Sequence, residues 1–147
     1  MEPAQTDEVR TLLRSYAGSL SFELDFQDFD RELAELPGRY APPRGALLVA
    51  QSDGVVLGCV ALRPLAGDTC EMKRLFVHPT ARGAGLGRGL AKAIVAEARR
   101  IGYARMRLDT TPGMEPAQAL YGELGFVNTA PYTHNPVPGT RFLELEL

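Results

Sequence analysis

The 147 residues are the length of one domain, 1–147, able to bury a core without a disulfide or metal staple. Hydrophobic residues make up 45% and charged residues 23%, which excludes wholesale disorder. The formal net charge is −2 and there is no apolar run of about 18 residues, so neither a nucleic acid nor a membrane is expected as a partner.

The chain opens on MEPAQTDEVR, polar and acidic, without a signal peptide's charged-then-apolar pattern, so a cytoplasmic protein is expected. Val9, Leu12, Leu13, Tyr16 and Leu20 then recur at helical spacing. A second, shorter helix carries Phe26, Phe29, Leu33 and Leu36 on one face and ends at Pro37-Gly38. The middle of the chain reads as strands. Ala46–Ala50 is a short apolar run, Asp53-Gly54 supplies hairpin chemistry, and Val55–Leu62 follows. Pro64, Gly67 and Asp68 mark a turn before a third strand, Cys70–Val77, stopped by Pro79. Three strands joined by tight turns make an antiparallel meander. Cys59 and Cys70 lie on neighbouring strands and are expected to face each other across the ladder as two buried thiols. Neither they nor His78 and His134 show metal-ligand spacing, so no metal is expected.

After Pro79 the pattern changes. Residues 82–89 are glycine-rich and basic, and they open into a helix with Leu86, Leu90, Ala93, Ile94, Ala98 and Ile101 along one stripe. Gly102 ends it. Ala104–Asp109 reads as a strand by its position and flanking turns. A further helix carries Ala117, Leu120, Tyr121 and Leu124, and Gly125 followed by Phe126 suits a left-handed cap. Phe126–Asn128 and Thr140–Leu147 read as final strands around a proline-rich loop at 131–139. The order ααβββαβαββ predicts a mixed α/β (α+β) domain.

A glycine turn that opens a helix presents backbone N–H groups without partners and the positive end of the helix dipole. Arg82 and Arg88 flank this turn, so the unit suits a phosphate or pyrophosphate. It is not a P-loop, because Gly87-Arg88-Gly89 stands where Gly-Lys-Ser/Thr is needed. It is not the dinucleotide fingerprint either. That pattern's last glycine is missing, the next acid is Glu97, and the strands before it are antiparallel.

The spacing Arg82-x-x-Gly85-x-Gly87, after Leu75-Phe76-Val77-His78-Pro79, resembles the GNAT superfamily of acetyl-CoA-dependent N-acetyltransferases. Ala117 to Phe126 resembles that family's Ala-x-x-Leu-Tyr…Gly-Phe segment, and the likeness spans residues 46–147. The resemblance implies a mostly antiparallel sheet with helices on both faces. It implies that acetyl-CoA lies along Leu75, Phe76 and Val77, with its pyrophosphate on Arg82, Gly83, Ala84, Gly85, Leu86, Gly87 and Arg88. A primary amine of a small molecule would attack the thioester directly. Two departures stand out. Met114 occupies a position where the family often has asparagine. The family pattern also begins with a strand, which here is either missing or lies before residue 1.

Two side chains carry the implied chemistry. The acceptor amine arrives protonated, with a pKa of about 10.4 if it resembles lysine, so a base is useful. Glu71 is the candidate, and by strand alternation it shares a face with Lys73, Leu75 and Val77 unless a bulge intervenes. The alternative is a surface pair with Lys73 or Arg74. The leaving thiolate accepts a proton from Tyr121 by the family pattern, although periodicity alone makes Tyr121 a core tyrosine. On the acceptor side, Arg74, Tyr132 and His134 are candidates, and Arg63 with Arg74 could hold a carboxylate bidentately.

Competing readings are a peptide or protein N-acetyltransferase, which needs an open groove, and a non-catalytic acyl-CoA sensor. A monomer or a homodimer is expected. Charge is also unevenly spread. Residues 73–107 carry nine positive groups and one negative, while residues 1–36 carry three and nine, so a basic field around the cofactor turn is expected.

Overall fold

Six strands form one sheet in the order β1-β2-β3-β4-β6-β5. They are β1 (Ala46–Ser52), β2 (Val55–Ala66), β3 (Thr69–Val77), β4 (Arg105–Thr110), β5 (Val127–Asn128) and β6 (Arg141–Glu146). The computed structural model describes residues 8–14, 31–32, 34–36, 38–81, 85–110, 115–132 and 138–147. Every pairing is antiparallel except β3 with β4. Ser52 pairs with Val55, and Asp53 and Gly54 both have positive φ (52° and 79°), the two-residue turn their sequence favours. The second strand runs on to Ala66 instead of ending at Leu62. Pro64 is tolerated there because the last β1 pair is Ala46 with Leu62, so no neighbour on that side needs its N–H.

Helices cover both faces. Val60, Leu62, Cys70, Met72, Met106, Leu108 and Leu143 pack with Leu90, Ile94 and Ala98 of the long helix Leu86–Ile101. Tyr121 and Phe126 join this cluster from the end of the short helix Glu115–Leu124 and the residues after it. On the other face Val9, Leu12 and Leu13 of the N-terminal helix (8–14) pack with Cys59, Ala61 and Phe76. Each buried Leu or Ile contributes roughly 1.5–3 kcal/mol. Tyr16, Leu20, Phe26, Phe29 and Leu33 lie outside the described residues, while Leu36 is buried as its spacing predicts.

The strands Cys59 and Cys70 occupy are neighbours, but the thiols do not meet. Cys59 pairs with Phe76 and Cys70 with Pro64, and the two side chains belong to clusters on opposite faces. The odd–even difference between their positions and the turn register decides this.

Candidate active site

A one-residue bulge organises the site. Cys59 pairs with Phe76 and Ala61 with Lys73, so two steps on β2 oppose three on β3. Arg74 sits in the extra place with φ 61°, a left-handed conformation uncommon for a side-chain-bearing residue. The alternation therefore flips. Leu75 and Val77 pack into the same cluster as Cys70 and Met72, while Phe76 joins the opposite one. The expectation that Glu71, Lys73, Leu75 and Val77 share a face is corrected accordingly.

The same region of β3 parts from β4. Their parallel ladder holds three pairs, Thr69–Arg105, Cys70–Met106 and Glu71–Arg107, and then stops. Beyond it Lys73 Nζ reaches Asp109 Oδ1 at 4.0 Å. The end of β3 meets the glycine turn. Gly85 begins the long helix at φ 79° and ψ 12°, and the Gly89 N–H donates the first helical bond to its carbonyl. The N–H groups before Gly89 belong to the first turn, which has no intrahelical acceptors. Among the described residues, a Cβ on Gly85 or Gly89 would meet nothing within 4 Å, and one on Gly87 would lie 3.8 Å from Val77 Cγ2. Among the described residues the first turn is thus uncrowded at its glycines, beside the last residue of β3. Those features fit a bound pyrophosphate. Arg82, Gly83 and Ala84 lie outside the described residues. Arg88 reaches across to Glu123 of the short helix at 2.5 Å.

Glu71 is 2% exposed and makes no surface pair with Lys73 or Arg74. Arg63 Nε donates to its Oε1 at 2.9 Å, and the Tyr132 hydroxyl donates to Oε2 at 2.6 Å. Burial and the Glu71 charge push the Tyr132 phenol above its ordinary range, so it remains a donor. Its ring lies edge-on to Phe142 at 5.6 Å and 5.9 Å from the Arg107 guanidinium. Arg107 donates to Glu144 at 2.8 Å. These residues share one register, Arg63–Glu71–Arg107–Glu144, and form a row of alternating charge across β2, β3, β4 and β6. Alternation is what places them there, since Met106, Leu108, Leu143 and Leu145 take the apolar face.

Arg74 turns toward the N-terminal part of the chain. Its Nε donates to Glu32 Oε2 at 2.7 Å and its Nη2 to Oε1 at 3.0 Å. Tyr40 adds a third bond to Oε1 at 2.9 Å. Burial raises the Glu32 carboxyl, but the bonds and charge of Arg74, helped by Tyr40, outweigh it and hold the group below its ordinary range. The pairing proposed for a ligand carboxylate is therefore filled from within: Arg74 holds Glu32 and Arg63 holds Glu71. His134 lies outside the described residues. Tyr121 is 7% exposed, its ring 5.7 Å from Phe126. Glu32, Arg107 and Glu144 were missed from sequence. The strict alternation of 105–109 and 141–146 held the signal for Arg107 and Glu144; nothing local marked Glu32.

Residues 7–126 match the acetyltransferase (GNAT) family. The chain belongs to that family. It is 42% identical over 147 residues to an uncharacterized N-acetyltransferase of Schizosaccharomyces pombe, covering 99% of this chain and 90% of that one. A GNAT-family acetyltransferase of Staphylococcus aureus Mu50 has the same fold, with a TM-score of 0.84, 18% identity and coverage of 99% and 95%. A Salmonella typhimurium protein described as an acetyltransferase, and solved with its cofactor acetyl-CoA, superposes with a TM-score of 0.77 at 24% identity, covering 99% and 90%. The GNAT chain is thus an acetyl-CoA-dependent N-acetyltransferase by family. Among the described residues no helix is long and apolar enough to cross a membrane.

Proposed function

We propose that the chain moves the acetyl group of acetyl-CoA to a primary amine of a small molecule, by direct attack within a ternary complex. The parting of β3 from β4 at the Arg74 bulge carries this reading. It ends the β4 ladder before Leu75, Phe76 and Val77, the stretch along which an extended pantetheine arm would lie. The first-turn amides of Gly85, Leu86, Gly87 and Arg88 would hold the diphosphate, together with Arg82, Gly83 and Ala84. The acetyl thioester supplies the electrophilic carbon.

The reaction forms an amide C–N bond, breaks the C–S bond, and releases CoA as a thiol with one proton left over from the ammonium. Glu71 would take the acceptor's proton through the hydrogen-bonded site it shares with Tyr132. Tyr121 would give a proton to the departing sulfur. The Tyr132 contact supports a small acceptor, because it sets the Tyr132 side chain against Glu71, where a peptide would need an open groove.

Acetyl-CoA at a hundredfold excess over Kd should stabilise the protein by about 2.7 kcal/mol. No rise in melting temperature at millimolar cofactor would sink the reading. Release of CoA with a panel of amines, amino acids and peptides then decides the acceptor class. Turnover confined to peptides would replace the small molecule with a protein acceptor.

A further inference from the structure

Beside the bulge lies a cleft of about 440 Å³, lined by Arg31, Glu32, Glu35, Arg39, Tyr40 and Arg63. Its inner wall touches both parts of the site. Glu32 holds Arg74 at the bulge, and Arg63 holds Glu71. Counting Arg74 and Glu71 behind that wall, the cleft gathers four positive and three negative side chains.

The cations differ in what they already bind. Arg63 and Arg74 each hold a carboxylate of the chain. Among the described residues, no carboxylate pairs with Arg31 or Arg39. Arg39 Nη2 donates to the Pro64 carbonyl at 2.8 Å. That bond steers the guanidinium and leaves most of its five N–H donors for a ligand. A planar fork held in this way matches the two oxygens of a carboxylate. An ammonium suits the acidic wall of Glu32 and Glu35. A polycation would face the surplus of arginines, whereas an added carboxylate answers it.

We propose that this cleft takes an acceptor amine that itself carries a carboxylate, with Arg39 and Arg31 recognising the carboxylate while the amine points to the bulge. The proposal rests on the acetyltransferase reading above and names its acceptor class.

The test pairs free amino acids with their α-carboxamides as acceptors and follows CoA release. The acids should be preferred in kcat/KM by about tenfold or more, the scale of a lost charge-assisted pair. Arg39→Gln should remove most of that preference through KM for the acids, with kcat little changed. Arg99→Gln, the same charge loss on the exposed last turn of the long helix, should keep it. Equal use of acids and amides overturns the proposal but leaves the acetyltransferase reading standing. So does an Arg39→Gln loss that strikes both members of each pair alike. Failure to acetylate any member of the panel, with acetyl-CoA still raising the melting temperature, overturns the acceptor class. No turnover and no stabilisation overturns both readings.

Discussion

Glu32 and Arg74 stand 42 residues apart in sequence, yet their side chains close a two-pronged bridge at 2.7 and 3.0 Å. The bridge ties the helical turn around residue 32 to the one residue of β3 with positive φ. It therefore anchors the side chain of the residue that occupies the β3 bulge.

Breaking this bridge should be costly. Removing one partner of a buried ion pair costs about 3–5 kcal/mol, and the 15% and 20% side-chain exposure here moves Glu32→Gln to about 2–3 kcal/mol. The pH dependence has a definite sign. The folded-state pKa of Glu32 is lowered, so its contribution is present above the ordinary value of 4.5 and lost as pH falls through the lower folded value. Urea unfolding across acid pH checks this: Glu32→Gln should flatten the acid side of the profile. An unchanged profile would show that the bridge contributes nothing.

The two thiols should be silent in the native state. Burial pushes both Cys59 and Cys70 up to about 12 from 9.0, so neither carries appreciable thiolate at pH 8. A thiol reagent at that pH should label neither residue until urea unfolds the chain, and then both. A raised thiol pKa also means stability is full below 9.0 and declines as pH rises from there toward about 12. Rapid labelling of the folded protein would contradict the burial.

Tyr121→Phe separates the two roles open to that residue. If it protonates the departing sulfur, kcat should fall by about 10²–10⁴-fold with acetyl-CoA affinity largely kept. A merely structural tyrosine would leave kcat near wild type. Circular dichroism and a melting curve confirm that the variant is folded.

Two glycines should answer alanine in opposite ways. A Cβ on Gly58 would lie 3.0 Å from Leu90 Cδ1 and 3.0 Å from the Phe76 carbonyl, where β2 passes under the long helix. Gly58→Ala should cost about 1–3 kcal/mol by overpacking. Gly122 lies within a helix with nothing among the described residues within 4 Å of its Cβ position, so Gly122→Ala should stabilise by about 0.5–1 kcal/mol. Chemical denaturation of both variants measures the contrast.

Much of the fold was legible because short-range patterns carried it. Short apolar runs between the turns at Asp53-Gly54 and Pro64–Asp68 predicted the meander, and the stripe from Leu86 to Ile101 predicted the long helix. Gly102 and Gly125 marked helix ends, and both have positive φ. The Ala104–Asp109 strand looked weak because of its arginines. In fact Arg105, Arg107 and Asp109 are its polar face, and that face is where the charged row forms. The bulge was not legible. One inserted residue leaves local composition unchanged but reverses every later side chain, which is why the face of Leu75 and Val77 was misread.

The amino-acid sequence by itself determined the order of the described strands and of the two later helices, the position of the glycine turn and most of the long helix's inward stripe, although Ala93 is exposed and Ala91 and Val95 are buried instead. These follow from periods of two and 3.6 residues and from glycine's backbone freedom. The tertiary structure decided which charges survive as a field. Residues 73–107 look strongly basic in line. Yet Lys73, Arg74, Arg88, Arg100, Arg105 and Arg107 each stand within ion-pair reach of an acid, five of the six drawn from outside that stretch. Coulomb attraction acts through space, so charge counted along the chain does not foretell the partners that folding brings within 4 Å.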